Sequence, residues 1–233
     1  MTGTNRQSDA TGGVLTPIGK TPLVTLRRVV PPGCGEVVVK VEGQNPTGSM
    51  KDRMAQAKVA GAERDGRLRP GGTVVEYTGG STGASVALVC AARGYRLRIV
   101  TSDAFSRDKL TRHGRGAAYT SPGAAGRRGR AGRVARALRR RPGAHRIEGI
   151  GIGYRPPMWD PEPPDEVLSV PSGEAEEMAR RLAREEGLFA GTSSGANVLA
   201  AIDVARRLGP GSRVATLLVD SGLKYLSTGV YRR

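Results

Sequence analysis

A lysine that follows a turn of small residues and opens a helix is the chemical starting point of this sequence, Ser49-Met50-Lys51-Asp52. Two further turns of similar composition are Thr78-Gly79-Gly80-Ser81-Thr82-Gly83 and Gly191-Thr192-Ser193-Ser194-Gly195-Ala196. Such turns, where strand or loop feeds a helix, present backbone N–H groups and the positive end of the helix, so they receive phosphate or carboxylate groups well. An amine held at one of them is a candidate for a Schiff base with an aldehyde cofactor. The plain alternative is a surface lysine at the start of a helix, with serines that serve only as caps and glycines that serve only as turns.

The elements that must hold these turns follow from period and punctuation. Glu36–Glu42 is a β-branched run of strand character, Met50 to about Arg64 a helix that sets Met50, Met54 and Ala57 on one face, with Ser49 as its N-cap candidate. Thr73–Tyr77 predicts a strand, Ala84–Arg93 an apolar helix and Leu97–Thr101 another strand. Strand, helix, strand in this order is the βαβ grammar of a parallel sheet. Thr111–Gly143 is mostly Arg, Gly and Ala, with one short basic helix at Arg130–Arg141 and no convincing strand. From Ser172, a cap candidate followed by Glu174, Glu176 and Glu177, helical order returns. Leu188–Gly191 then reads as a strand, Ala196–Leu208 as a helix and Val214–Val219 as a last buried strand.

Composition bounds the function classes. Of 233 residues, 34 are Gly and 15 Pro, below the share of roughly 25–30% that marks low complexity, so the chain is globular. No run approaches the roughly 18 apolar residues of a membrane span, and Met1 to Gly13 has no apolar signal core. Cys34, Cys90 and two histidines show no metal or redox spacing, so the expectation is a reduced, cytoplasmic protein without a metal site. The net charge is +16, and +12 of it lies between Arg107 and Arg146. That stretch has a single aromatic, Tyr119, which offers little for base stacking and argues against a nucleic-acid partner. A nicotinamide reading fails as well. No tyrosine is followed by a lysine four residues on, and Gly149-Ile150-Gly151-Ile152-Gly153 runs into Pro156 and Pro157, which forbid the helix a dinucleotide needs.

Taken in order, Asn45-Pro46-Thr47-Gly48-Ser49-Met50-Lys51-Asp52-Arg53, the Thr78–Gly83 turn, the Gly191–Ala196 turn, and Asp220-Ser221-Gly222 with Tyr225-Leu226-Ser227-Thr228 resemble the cysteine synthase and cystathionine β-synthase family. Thr21-Pro22-Leu23 and His145-Arg146-Ile147-Glu148-Gly149-Ile150-Gly151 add to the match, which covers about residues 14–110 and 143–233. The resemblance implies an α/β fold with two parallel-sheet βαβ domains of the tryptophan synthase β-chain-like type, the larger one incomplete. Its expected division is 1–40 for the tail and first part of the larger domain, 41–118 for the smaller domain, and 119–233 for the rest of the larger, with a basic junction at about 111–143.

The same resemblance implies pyridoxal 5'-phosphate as cofactor and β-replacement on O-acetylserine, or a related activated serine, with sulfide to give cysteine. Lys51 is then the Schiff-base lysine and the base for the α-proton. The Thr78, Gly79, Gly80, Ser81 and Thr82 turn receives the substrate carboxylate, and Ser193 sits where the family sets a hydroxyl against the pyridine nitrogen. Ser81 stands where the family has an asparagine that meets the cofactor ring hydroxyl, and Gly149 and Gly151 form a backbone wall beside the amino acid. Homodimers are common in the family. Members run to roughly 300 residues, so about 70 are missing, and the family's GTGGT phosphate turn has no counterpart in the basic segment. That departure motivates a rival expectation, an impaired remnant with non-specific nucleic-acid affinity through its arginines.

Overall fold

The computed structural model describes residues 13–78, 80–100, 118–120 and 164–231. In chain order the elements are strands β1 (Leu23–Thr25) and β2 (Glu36–Val41), helix α1 (Lys51–Arg64), strand β3 (Thr73–Tyr77), helix α2 (Ser81–Arg93), strands β4 (Arg96–Val100) and β5 (Ala118–Thr120), helices α3 (Ser172–Glu185) and α4 (Thr192–Leu208), and strand β6 (Arg213–Leu218). Short 3-10 turns lie at Glu42–Gln44 and Gly222–Tyr225. The chain divides into two compact units, one from Met1–Thr21 and Gln44–Gly123, the other from Pro22–Gly43 and Ala124–Arg233.

In the first unit β3, β4 and β5 form a parallel sheet, with Thr73 opposite Arg96, Tyr77 opposite Val100, and Arg98 opposite Ala118. A parallel pair needs a crossover, and α2 supplies it between β3 and β4. Leu97 and Ile99 are buried while Arg96 and Arg98 alternate outward, the period-2 pattern of a half-covered strand. They pack with Val86, Val89 and Cys90 of α2 and with Ala55 and Val59 of α1. Each fully buried Val, Leu or Ile side chain among them contributes about 1.5–3 kcal/mol. The buried residues of α1 are Asp52, Ala55 and Val59; Met54 is partly exposed and Ala57 exposed, so the core side is not the Met50, Met54, Ala57 face. Gly94 ends α2 with φ +74°, a left-handed residue that lets the Tyr95 N–H reach the Cys90 carbonyl at 2.8 Å. The strand at Ala118–Thr120 was not expected from the sequence, because three residues carry too little periodicity to be read.

The second unit has a sheet in the order β1-β2-β6. Strands β2 and β6 are parallel, from Glu36 opposite Arg213 to Val41 opposite Leu218. Strand β1 is antiparallel to β2, a departure from the all-parallel expectation. The connection between them is too short for a crossover. Val37, Val38 and Val39 of the central strand are all buried. One core joins Val37, Val39 and Leu218 to Met178 and Leu182 of α3 and Val198, Ile202 and Ala205 of α4. The α3 helix begins at Ser172 after Pro171, so Ser172 is its first residue and not its cap. Just past its end, Glu186 Oε1 accepts the backbone N–H groups of Arg27, Arg28 and Val29 at 2.9, 2.6 and 2.9 Å, fastening the β1–β2 connection to α3. Leu188–Gly191 does not form a strand; one bridge between Ala190 and Ser221 is all that pairs there.

Candidate active site

Lys51 is the first residue of α1 and is partly buried. The loop before it is closed by its own polar groups. Gly48, with φ +74°, turns the chain so that its N–H reaches the Asn45 carbonyl at 2.7 Å. Asn45 is buried and its Oδ1 accepts the Gly19 N–H at 2.8 Å. Ser49 is not the N-cap; Met50 holds that position, and the Ser49 hydroxyl accepts the Lys51 N–H at 3.3 Å. The Asp52 carboxylate is fully enclosed. It accepts the Thr47 N–H at 2.8 Å and the Thr47 hydroxyl as well.

The second turn belongs to the same unit. Helix α2 starts at Ser81, not at Ala84, so Ser81, Thr82 and Gly83 form its first turn. Gly80 precedes it without a capping side chain, and Thr78 Oγ1 accepts the Gly80 N–H at 3.2 Å. Ser85 Oγ donates to the Ser81 carbonyl at 3.0 Å and lies 3.2 Å from Thr47 Oγ1. The lysine loop and the start of α2 are therefore linked through two hydroxyls. Gly79, Gly149 and Gly151 lie outside the described residues, as does the basic helix expected at Arg130–Arg141.

The third turn begins α4 in the second unit, where Thr192, Ser193, Ser194 and Gly195 are all buried and helical. Ser194 Oγ accepts the Val219 N–H at 2.9 Å, which ties it to the end of β6. Ser193, its neighbour in the same turn, is buried with 8% of its surface open. Thr192 Oγ1 is enclosed and has no hydrogen-bond partner. Gly191, before the helix, is required by close approach: a Cβ there would fall 2.3 Å from Asp220 Oδ1 and 2.4 Å from the Tyr225 ring. The Tyr225 hydroxyl donates to Asp220 Oδ2 at 3.1 Å, and the Asp220 carbonyl accepts the Gly191 N–H at 3.2 Å. Ser221, singled out in the same motif, accepts the Leu223 N–H at 3.3 Å and shapes the turn that carries Tyr225.

Burial also excludes one nucleophile. It pushes the Cys90 thiol above its ordinary range, so this buried cysteine is an inert packing residue. Burial likewise pushes the Tyr231 hydroxyl up to about 12, in spite of its bond to the Ala190 carbonyl.

The model of the family described as pyridoxal-phosphate dependent enzyme matches residues 14–144 and 117–220. The chain belongs to this family. A cysteine synthase of Staphylococcus aureus is 32% identical to it over 294 residues, covering 92% of this chain and 95% of that protein. The crystal structure of O-ureido-L-serine synthase matches with a TM-score of 0.84 at 28% identity, covering 95% of each chain. A cysteine synthase of Entamoeba histolytica shares the fold, with a TM-score of 0.82 at 24% identity, over 100% of this chain and 94% of that one. The protein is thus a cysteine synthase-like enzyme of the tryptophan synthase β-like α/β type, and pyridoxal phosphate is its cofactor. The matched stretch runs nearly end to end in the Staphylococcus protein, yet its 294 aligned positions meet only 92% of the 233 residues, so about 80 of them have no counterpart here. None of these similarities favours a nucleic-acid-binding remnant. Among the described residues no helix is long and apolar enough to cross a membrane.

Proposed function

We propose that the enzyme carries out β-replacement on O-acetylserine or a related activated serine, with sulfide as the nucleophile and cysteine and acetate as products. The observation that carries this reading is the closed loop that delivers Lys51 at the start of α1, beside hydroxyls that also hold the start of α2. Similarity to a cysteine synthase supports the choice of reaction. When bound, pyridoxal phosphate supplies an electron sink for the bonds at the substrate α-carbon.

The residues of the chain do the rest. Lys51 Nζ would hold the cofactor through its aldehyde and would serve as the base for the proton on the substrate α-carbon. Thr78, Gly79, Gly80, Ser81 and Thr82 receive the substrate carboxylate on N–H groups and hydroxyls at the positive end of α2. Ser193 would offer its hydroxyl to the pyridine nitrogen, a neutral partner that suits loss of the leaving group from Cβ better than amino transfer. Ser81 would hold the ring hydroxyl, and Gly149 and Gly151 would border the amino acid. The unpartnered Thr192 hydroxyl beside Ser193 supports a polar ligand at this helix start, because an enclosed hydroxyl with no bond costs about 1–3 kcal/mol.

We further propose a smaller domain at about 41–118 and a larger one at 119–233 with the chain that leads into 41, except that the described residues before Thr21 go with the Lys51 unit and not with the larger domain, together with a homodimer as the working assembly and the cytoplasm as its setting. The free thiols of Cys34 and Cys90 fit a reducing compartment.

The test treats wild type and Lys51→Ala with pyridoxal phosphate and then borohydride, maps the modified peptide by mass, and assays cysteine formation from O-acetylserine and sulfide. Modification at Lys51 and cysteine release by wild type alone are expected. An unmodified Lys51 peptide in wild type, as in Lys51→Ala, excludes cofactor attachment there, and attachment without cysteine release points to another nucleophile or leaving group. Light scattering reads the dimer.

A further inference from the structure

Asp52 is an ionisable side chain with no exposed surface, in the first turn of α1. Among the described residues no lysine, arginine or histidine forms an ion pair with it. A buried carboxylate without a cation requires several donors. Here both come from one residue: the N–H and the hydroxyl of Thr47 each reach a different carboxylate oxygen. This pair closes a ring around Gly48, Ser49, Met50 and Lys51, so the chain that carries Lys51 is fixed at both ends. Thr47 Oγ1 is also 3.2 Å from Ser85 Oγ, itself fully buried, and Ser85 holds the carbonyl of Ser81 one helical turn earlier. A single hydroxyl therefore lies between the residue that follows the lysine and the serine that fixes the first turn of α2.

We infer that Asp52, Thr47 and Ser85 are positioning residues that join the Lys51 loop to the Thr78–Thr82 turn, so that lysine and carboxylate receptor keep one relative geometry. The inference rests on the roles proposed above for Lys51 and that turn. Helix dipole and sequence both favour an acid at Asp52, since negative charge suits the first turn. Its orientation back toward Thr47, away from solvent, is what gives it this further role.

The experiment compares wild type, Thr47→Val, Thr47→Ser and Ser85→Ala as full-length chains. Two quantities are read: hydrogen exchange of the peptide spanning Thr47–Arg53 without cofactor, and the pyridoxal phosphate concentration that half-saturates borohydride trapping at Lys51. Thr47→Val is expected to speed exchange and to raise the half-saturating concentration roughly tenfold or more, as loss of a bond to a charged group implies. Thr47→Ser, which keeps the hydroxyl, restores both. Combining Thr47→Val with Ser85→Ala adds less than the two single effects, because both act on one contact. Wild-type exchange and wild-type trapping in a folded Thr47→Val overturn the inference and leave the functional reading intact. Where Thr47→Val does not fold, unchanged values in Ser85→Ala overturn it equally. Failure of wild type to trap the cofactor at Lys51 removes the functional reading, and the inference with it.

Discussion

Gly195 of α4 lies so close to Ala175 of α3 that a Cβ on the glycine would stand 2.0 Å from the Ala175 carbonyl oxygen and 2.9 Å from the Ala179 nitrogen. Both are backbone atoms and cannot turn aside. Gly195→Ala should therefore destabilise the chain by about 2 kcal/mol, in the range of an overpacked core. In an open helix the same change would stabilise by about 1 kcal/mol. Urea unfolding decides by sign, with a lower midpoint expected and an unchanged slope.

Thr192→Val keeps the shape of the side chain and deletes an enclosed hydroxyl that has no partner. The cofactor-free protein should gain about 1 kcal/mol, seen as a Tm raised by a few degrees. A lowered Tm would mean that the hydroxyl does bond in solution. In the presence of pyridoxal phosphate the gain should shrink or reverse, if this hydroxyl serves the ligand.

Two adjacent serines should separate function from structure. Ser194→Ala removes the acceptor of the Val219 N–H and should cost about 1–3 kcal/mol of stability. Ser193→Ala should leave stability near wild type and trapping at Lys51 intact, while cysteine formation falls at least tenfold. Equal turnover in wild type and Ser193→Ala would dismiss its proposed bond to the ring nitrogen.

Tyr231 makes the stability depend on pH in the alkaline range. Its hydroxyl titrates at about 12 in the folded protein against about 10 in the unfolded chain, so the folded state binds the proton more tightly. Its contribution is complete below pH 10 and declines as the pH rises from 10 to 12. Denaturant titrations across this window should show a steeper fall for wild type than for Tyr231→Phe.

Much of the fold was legible because strong β-branched runs sit between punctuating glycines: Thr73–Tyr77 has the observed limits, Glu36–Val41 is one residue shorter than its reading, and Arg96–Val100 and Arg213–Leu218 each begin and end one residue earlier than theirs. The helix starts were misread at Ser81 and Thr192. Gly and Ser at these places signal a turn by propensity, whereas tertiary contact, such as that of Gly195 with Ala175, holds them helical. The motif order pointed to Lys51 and Ser193. It gave no sign of Asp52 as a buried anchor, since a charged residue on a helix resembles a solvated one until its burial is known. The Asp220–Tyr225 bond and the unpartnered Thr192 hydroxyl were hidden for the same reason.

The pairing of β2 with β6 joins Glu36 to Arg213, 177 positions later in the chain. During synthesis the buried valines of β2 emerge well before their parallel partner, which exists only once the chain has been made through Leu218. The unit that carries Lys51 has its described strands complete by Thr120 and can order first. Nascent chains halted before Arg213 should therefore hold a protease-resistant lysine-bearing unit and an unfinished second sheet, which makes the arrival of Arg213–Leu218 the step that commits the second unit to its native form.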